Sequence, residues 1–222
     1  MLVNHPRINK FFSAFVALGA IFGIAVTQAQ ADEGEMLEIV AFGDSLTAGY
    51  GLAPGEGFTD QLQAWLDENS PRSVRVINAG VSGDTSSGGR ARLDWGLAPV
   101  KGGKPDLVIL ELGANDGLRG IDPTITAENI DAMVKVLAAR DVTVLVAGMM
   151  APPNLGAEYA TVFNPIFKNV AEKYDMPLYP FFLDGVAADA ALNQSDGMHP
   201  NAEGVKIIVE KIGPVVLEVL DR

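Results

Sequence analysis

Short apolar runs alternate with segments of helical period along most of the chain. Leu37 to Phe42 is a largely apolar run of strand length, and the residues Phe58, Leu62, Trp65 and Leu66 that follow share one helical face. The alternation recurs to the C-terminus. It predicts five strands, at about 37–42, 74–78, 107–112, 142–147 and 178–181. It also predicts further helices at about 90–97, 130–138 and 158–174 and from Ala202 onward.

Strands that alternate with helices indicate an α/β fold. Right-handed crossovers between such strands produce a parallel sheet with a helical layer on each face. The run from Leu107 to Leu112 lacks polar alternation, which is typical of a strand buried on both faces. We therefore predict a three-layer α/β/α sandwich around a five-stranded parallel sheet. Polar, glycine-rich segments follow three of the strands, at 43–45, 80–89 and 113–116, and should meet at the ligand-binding edge.

The first thirty-one residues are predicted to be an export signal. Arg7 and Lys10 form a basic start, Phe11 to Val26 is apolar, and Ala29-Gln30-Ala31 has the small-residue pattern that signal peptidase accepts. The apolar run is shorter than the roughly 20 residues that a membrane-spanning helix needs. We expect cleavage after Ala31, one mature domain over residues 32–222, a periplasmic or secreted location and no stable membrane anchor.

Charge and cysteine content narrow the function classes. The formal net charge is −12, which repels phosphate backbones and makes nucleic acid an unsuitable partner. The chain has no cysteine, which excludes disulfides, thiolate nucleophiles and thiolate metal sites. One histidine and no cysteine leave only carboxylates for zinc after residue 31, and a hard cation on aspartates stays open but has no motif. Our expectation is no metal and no cofactor, a small-molecule substrate and a monomeric protein.

Ser45 is a candidate nucleophile. It stands in Gly43-Asp44-Ser45 at the predicted junction of a strand and a helix, where helix-terminal N–H groups stabilise negative charge. The same residue types are equally typical of a helix N-cap.

His199 is the only imidazole after residue 31 that could activate a serine. Asp196, three positions earlier on the same predicted loop, is close enough to orient it. A single histidine can also be a packing or surface residue, but the neighbouring aspartate favours the catalytic interpretation.

An acyl-transfer site also needs hydrogen-bond donors for the oxyanion. The Asn115 side chain and the Gly83 backbone N–H are candidates, although both segments are also typical of simple turns. The chain has no G-x-S-x-G elbow, Walker loop or G-x-G-x-x-G motif.

Four segments together resemble, in order, the four sequence blocks of the SGNH, or GDSL, hydrolases. They are Gly43-Asp44-Ser45-Leu46, Ser82-Gly83-Asp84, Gly113-Ala114-Asn115-Asp116 and Asp196-Gly197-Met198-His199-Pro200. Longer stretches, such as residues 44–50 and 115–120, are similar to the periplasmic acyl-CoA thioesterase, lysophospholipase and arylesterase subgroup. The resemblance implies a flavodoxin-like strand order.

The resemblance also implies roles for individual residues. Ser45 would be the nucleophile, His199 the base and Asp196 its partner. The Ser45 N–H, the Gly83 N–H and the Asn115 side chain would form the oxyanion hole. No metal or organic cofactor would be needed.

Two loops would border the acyl chain, Asp116 to Ile121 and Met149 to Gly156. The substrate-binding residues that this implies are Asp116, Leu118, Met150, Pro152 and Leu155. Met and Pro beside a strand end can equally be packing residues. Ala114 stands where some relatives have glycine, so we expect a stiffer loop.

The function predicted from the sequence is a serine esterase or thioesterase that acts on acyl thioesters, lysophospholipids or aryl esters. The first alternative is a carbohydrate O-acetyl esterase of the same family, against which the apolar 149–156 loop argues. The second alternative, from another class, is a periplasmic binding protein without turnover.

Overall fold

A five-stranded parallel sheet forms the centre of the computed structural model, which describes residues 1–3 and 36–222. The strands are Leu37–Gly43 (β1), Val74–Gly80 (β2), Leu107–Glu111 (β3), Thr143–Ala147 (β4) and Leu178–Tyr179 (β5). Their order is β2-β1-β3-β4-β5, and every neighbouring pair is parallel. This order confirms the predicted α/β class and the flavodoxin-like topology.

Helices cover both faces of the sheet. They are Ser45–Ala48 (α1), Phe58–Asn69 (α2), Ser86–Leu97 (α3), Ala114–Leu118 (α4), Pro123–Ala138 (α5), Gly156–Phe163 (α6), Ile166–Tyr174 (α7) and Ala202–Leu220 (α8). Short 3-10 turns lie at Lys101–Gly103 and Pro153–Leu155. Helix α2 packs on α8, whereas α5 packs on both α3 and α7. These two helical groups and the sheet make up the predicted three layers.

The core is densest around β3. All five residues of this strand are buried, because β1 and β4 pair with its edges and helices cover both of its faces. The unalternating Leu, Val and Ile residues are therefore explained by burial on both sides. At its carboxyl end the strand finishes with an acidic residue, Glu111, which is fully buried.

Two predicted elements differ from the structure. The single helix predicted from Glu158 to Tyr174 is wrong, since α6 ends at Phe163 and α7 begins at Ile166. Pro165 lies between them, and it has no N–H with which to continue the helical hydrogen bonds of α6. The last strand stops at Tyr179 rather than at residue 181, because Pro180 follows and cannot donate to the sheet.

The predicted export signal and its cleavage point after Ala31 fall almost wholly in residues 4–35, which lie outside the described residues. The residues from Met36 to Arg222 belong to one compact unit. Within the described ranges, no helix is both long and apolar enough to cross a membrane.

Candidate active site

Ser45 is the first residue of α1, directly after the turn that leaves β1. The N-cap of this helix is Asp44, whose Oδ1 accepts a hydrogen bond from Leu46 N–H at 3.0 Å. The aspartate therefore caps the helix, and the serine hydroxyl has no part in the cap. The structure thus separates the two interpretations that the Gly-Asp-Ser sequence left open.

Ser45, His199 and Asp196 form one hydrogen-bonded line. His199 Nε2 lies 2.9 Å from Ser45 Oγ, and His199 Nδ1 lies 2.7 Å from Asp196 Oδ2. Because a carboxylate can only accept, the proton of the neutral imidazole belongs on Nδ1, which leaves Nε2 to accept from the serine. This is the geometry of a nucleophile next to an oriented general base.

Asp196 is held in its charged form by the backbone of its own loop. Its Oδ1 accepts the His199 N–H at 3.0 Å and the Met198 N–H at 2.9 Å. These two donors, with a smaller contribution from the imidazole, lower the pKa of Asp196 to about 2. The carboxylate is therefore ionised at neutral pH and can stabilise an imidazolium.

A glutamine that the sequence did not single out connects the histidine loop to the nucleophile segment. Gln194 Nε2 donates to Tyr50 O at 2.8 Å and to Pro200 O at 3.0 Å. The Tyr50 ring also lies against the imidazole of His199, with centroids 4.7 Å apart. No local pattern marks Gln194, because its partner Tyr50 is 144 positions away.

The predicted oxyanion donors stand on three loops around Ser45. Asn115, in the first turn of α4, donates from Nδ2 to Asp44 Oδ2 at 3.0 Å, which leaves its second amide hydrogen free. Among the described residues, the Ser45 and Gly83 N–H groups have no acceptor. Arg119 donates to Gly83 O at 2.8 Å and so connects the second loop with the third.

Arg92 is a second residue that the sequence did not reveal. From α3 it donates to Gly43 O at 2.8 Å, to Ala79 O at 2.9 Å and to the Asp84 carboxylate at 2.5 Å. Its guanidinium lies 4.2 Å from the centroid of the Phe42 ring. One side chain thus holds the carboxyl ends of β1 and β2 beside the Gly83 turn.

Two buried carboxyl groups lie beneath the nucleophile turn. Asp44 and Glu111 are both fully buried, and Glu111 Oε2 accepts from the Thr47 hydroxyl at 2.8 Å and from Asp44 N–H at 3.3 Å. Burial raises the pKa of Asp44 to about 6. Burial, and then the negative charge of Asp44, raise the pKa of Glu111 well above its usual range. The sequence could have pointed to Glu111, because an acidic residue at the end of an otherwise apolar strand is unusual.

Asp116 does not have the predicted substrate-binding position. Its side chain is fully buried and accepts from the backbone N–H of Ser86 at 2.7 Å, from the Ser86 hydroxyl and from the Thr126 hydroxyl at 3.0 Å. The carboxylate thus joins α4 to α3 and α5 from the inside. The prediction failed because α4 turns this residue inward, which the loop sequence does not show.

The remaining predicted substrate residues lie on two loops that contact each other. A Cβ placed on Gly117 would lie 2.9 Å from Pro152 Cδ, and one on Gly120 would lie 3.8 Å from Leu155 Cδ2. Leu118 and Met150 expose 54% and 53% of their surface, so each offers apolar area to a ligand. Met149, the first residue of the second loop, is buried in the core instead.

The chain matches the GDSL-like Lipase/Acylhydrolase family over residues 41–207. It is 36% identical over 207 residues to Esterase TesA of Pseudomonas aeruginosa, a match that covers 93% of this chain and 99% of that protein. It is 34% identical to Thioesterase 1/protease 1/lysophospholipase L1 of Escherichia coli K12, with coverage of 78% and 79%.

Solved structures show the same likeness. AlinE4, described as an SGNH-hydrolase family esterase, is 44% identical with a TM-score of 0.70 and covers 84% of this chain and 98% of its own. The crystal structure of TesA is 37% identical with a TM-score of 0.75, over 83% of this chain and 99% of its own.

Replacing Asp116 with alanine should destabilise the protein rather than weaken substrate binding. The change leaves the buried donors of Ser86 and Thr126 without an acceptor, which we expect to cost about 3 kcal/mol in the free energy of urea unfolding. The matched control is Asp94→Ala at an exposed ion pair with Arg140, for which the loss should stay below about 1 kcal/mol. A stable Asp116→Ala protein with a raised KM would instead assign this residue to the substrate.

Proposed function

The chain belongs to the GDSL-like lipase/acylhydrolase family and is an ester hydrolase, and we propose that it works through an acyl-Ser45 intermediate. The observation that carries this proposal is the continuous line from Ser45 Oγ through the His199 imidazole to the Asp196 carboxylate. A serine alone is a weak nucleophile, whereas a serine that can pass its proton to an adjacent imidazole is not.

Acylation begins when Ser45 Oγ attacks the carbonyl carbon of the ester or thioester. His199 Nε2 takes the hydroxyl proton as the new C–O bond forms, and the carbonyl π electrons move to oxygen. Asp196 remains ionised and stabilises the imidazolium. When the tetrahedral intermediate collapses, the bond to the leaving group breaks and His199 returns the proton to the departing alcohol or thiol.

Deacylation repeats these steps with water in place of the serine. His199 takes a proton from water, the hydroxide attacks the acyl carbon, and Ser45 leaves as the protonated hydroxyl. The product is a carboxylic acid.

The oxyanion of each tetrahedral intermediate would be held by the Ser45 N–H, the Gly83 N–H and the free amide hydrogen of Asn115. The two backbone groups have no acceptor among the described residues, and Asn115 is oriented by its bond to Asp44. Donors fixed before the reaction stabilise the charge at little reorganisation cost, and one such donor is typically worth about 10²- to 10³-fold in rate.

The proposed substrates are acyl thioesters, lysophospholipids or aryl esters. The exposed apolar side chains of Leu118 and Met150 support a substrate with apolar parts. The names of similar proteins point the same way, since one is a thioesterase and lysophospholipase and another, from Vibrio mimicus, is an arylesterase. A carbohydrate O-acetyl esterase is the second candidate, but a polar carbohydrate with a short acetyl group would make less contact with this apolar surface.

Ser45 should react covalently with a fluorophosphonate. Ser45→Ala and His199→Ala should each lower kcat/KM on p-nitrophenyl butyrate by about 10⁴-fold or more, since each removes one half of the proton-transfer pair. Ser73→Ala, an exposed serine outside the site, is the control and should retain wild-type activity. A folded protein whose Ser45 is never labelled would favour the binding-protein alternative, and turnover retained in Ser45→Ala would exclude the acyl-serine mechanism.

Leu118→Ser and Met150→Ser should each reduce the preference for longer acyl chains. Loss of apolar contact should lower kcat/KM for the p-nitrophenyl octanoate by about 10-fold relative to the acetate. Val162→Ser on α6 is a matched control, because this side chain is also 53% exposed but lies elsewhere. If neither loop variant changes the octanoate-to-acetate ratio, the two loops do not border the acyl group.

We further propose that the protein is exported and acts as a monomer. The basic start, the apolar run and the Ala29-Gln30-Ala31 sequence support export with cleavage after Ala31. N-terminal sequencing of the exported protein should begin at Asp32, and Ala31→Glu should block this cleavage. A mature protein that still begins at Met1 would contradict the export proposal, and a dimer in sedimentation would contradict the monomer.

A further inference from the structure

Glu111 occupies an unusual position for a carboxyl group. It is the last residue of β3, it is fully buried, and it pairs in register with Gly43 at the end of β1. Its Oε2 has two donors, but its Oε1 has no hydrogen-bond partner among the described residues. A buried carboxylate with one oxygen unpartnered is costly, so this group favours its neutral, protonated form.

The neighbouring Asp44 has a donor at each of its two carboxylate oxygens. Its two oxygens accept the Leu46 N–H and the Asn115 amide, both at 3.0 Å. Glu111 accepts hydrogen bonds from the Thr47 hydroxyl and from the backbone of Asp44, and the Thr47 backbone also acts on it, but its Oε1 has no partner among the described residues. Two adjacent buried carboxyls do not both ionise readily, so the negative charge resides on Asp44 and the proton on Glu111.

The Glu111 carboxyl and the Thr47 hydroxyl can approach the backbone of residue 43 this closely only because that residue is glycine. A Cβ on Gly43 would lie 2.5 Å from Glu111 Oε2 and would clash with the Thr47 hydroxyl. Glu111 therefore lies directly beneath the turn that presents Asp44 and Ser45. Any change in its charge or contacts is transmitted to that turn.

We propose that Glu111 is a positioning residue of the oxyanion hole, which keeps Asp44 in place as the carboxylate that orients the Asn115 amide. This inference rests on the proposed function, because it assigns Asn115 to the oxyanion. Glu111 itself touches no substrate. Its neutral carboxyl holds the Asp44 backbone and Thr47, Asp44 holds one hydrogen of Asn115, and the second hydrogen remains directed for the reaction.

Glutamine is a close substitute for a protonated glutamic acid, whereas methionine fills the space without a comparable acceptor. Glu111→Gln should keep kcat on p-nitrophenyl butyrate within about 3-fold of the wild type. Glu111→Met should lower kcat about 10- to 100-fold with little change in KM, since the lost interaction acts in the transition state. Glu172→Met on the exposed face of α7 is the control and should not change kcat.

A double-mutant cycle with Asn115→Ala distinguishes positioning from general damage. If Glu111 acts through Asn115, Glu111→Met should cost less than about 2-fold when Asn115 is already alanine. Independent effects that multiply would overturn the proposal, as would Glu111→Gln being as slow as Glu111→Met. If Glu111→Met does not fold, Thr47→Val replaces it in the cycle, because it frees Glu111 Oε2 at nearly constant volume, and the same two outcomes decide.

The pH dependence of stability gives a readout that needs no activity. A raised pKa means that the folded protein keeps a proton that the unfolded chain releases, so stability falls as pH rises above the ordinary glutamate range. Glu111→Gln cannot ionise. The difference between its melting temperature and that of the wild type should therefore increase by at least about 2 °C from pH 6 to pH 9. Parallel Tm curves would overturn the neutral carboxyl and with it the proposal.

Other charged groups near this pair are present in both proteins, and the Asp44 carboxyl, which is coupled to Glu111, is accounted for by running the same comparison in an Asp44→Asn background. They are Asp44 itself, Asp84 and His199, which act on the Asp44 carboxylate, and Arg92, which donates to Gly43 O. Failure of the esterase proposal would be recognised separately, by turnover that survives Ser45→Ala. The Tm comparison would then still report on Glu111.

Discussion

Parallel pairing of β1 with β2 and β3 is the constraint on which the site depends. The register places Gly43 opposite both Gly80 and Glu111, so three strands end at the same level. The loops that follow these strands must then meet at one edge, as they do in other open α/β sheets. The proposed nucleophile, the proposed oxyanion donors and the buried carboxyls are brought together by this one alignment.

The loops that follow the strand ends must also be fixed relative to one another. Arg92 does this for the first two loops and Arg119 for the second and third, in each case through backbone carbonyl groups. The proposed base, His199, comes from a distant part of the chain; Gln194 connects its loop to Tyr50, whose ring lies against the imidazole. Catalytic geometry here depends on residues that carry out no chemistry themselves.

The buried carboxyls show how a polar network can lie beneath a catalytic turn. In the proposed arrangement Asp44 carries the charge because each of its oxygens has a donor, whereas burial and the unpartnered Oε1 keep Glu111 neutral. The same dehydrated setting that makes these groups expensive to ionise also makes their hydrogen bonds directional and strong. The exclusion of water therefore accounts both for the free-energy cost of ionising these carboxyls and for the well-defined geometry of the turn.

The sequence by itself determined the order of strands and helices, the parallel sheet and the candidate residues Ser45, Asp196 and His199. Periodicity, residue inventory and spacing along one loop are local properties, and a chain with one imidazole after residue 31 offers no other imidazole as a base. Only the tertiary structure decided that Asp116 points inward and that Glu111 lies under the nucleophile. Such contacts depend on which face of an element a side chain takes and on partners many tens of residues away, for which the linear pattern contains no signal.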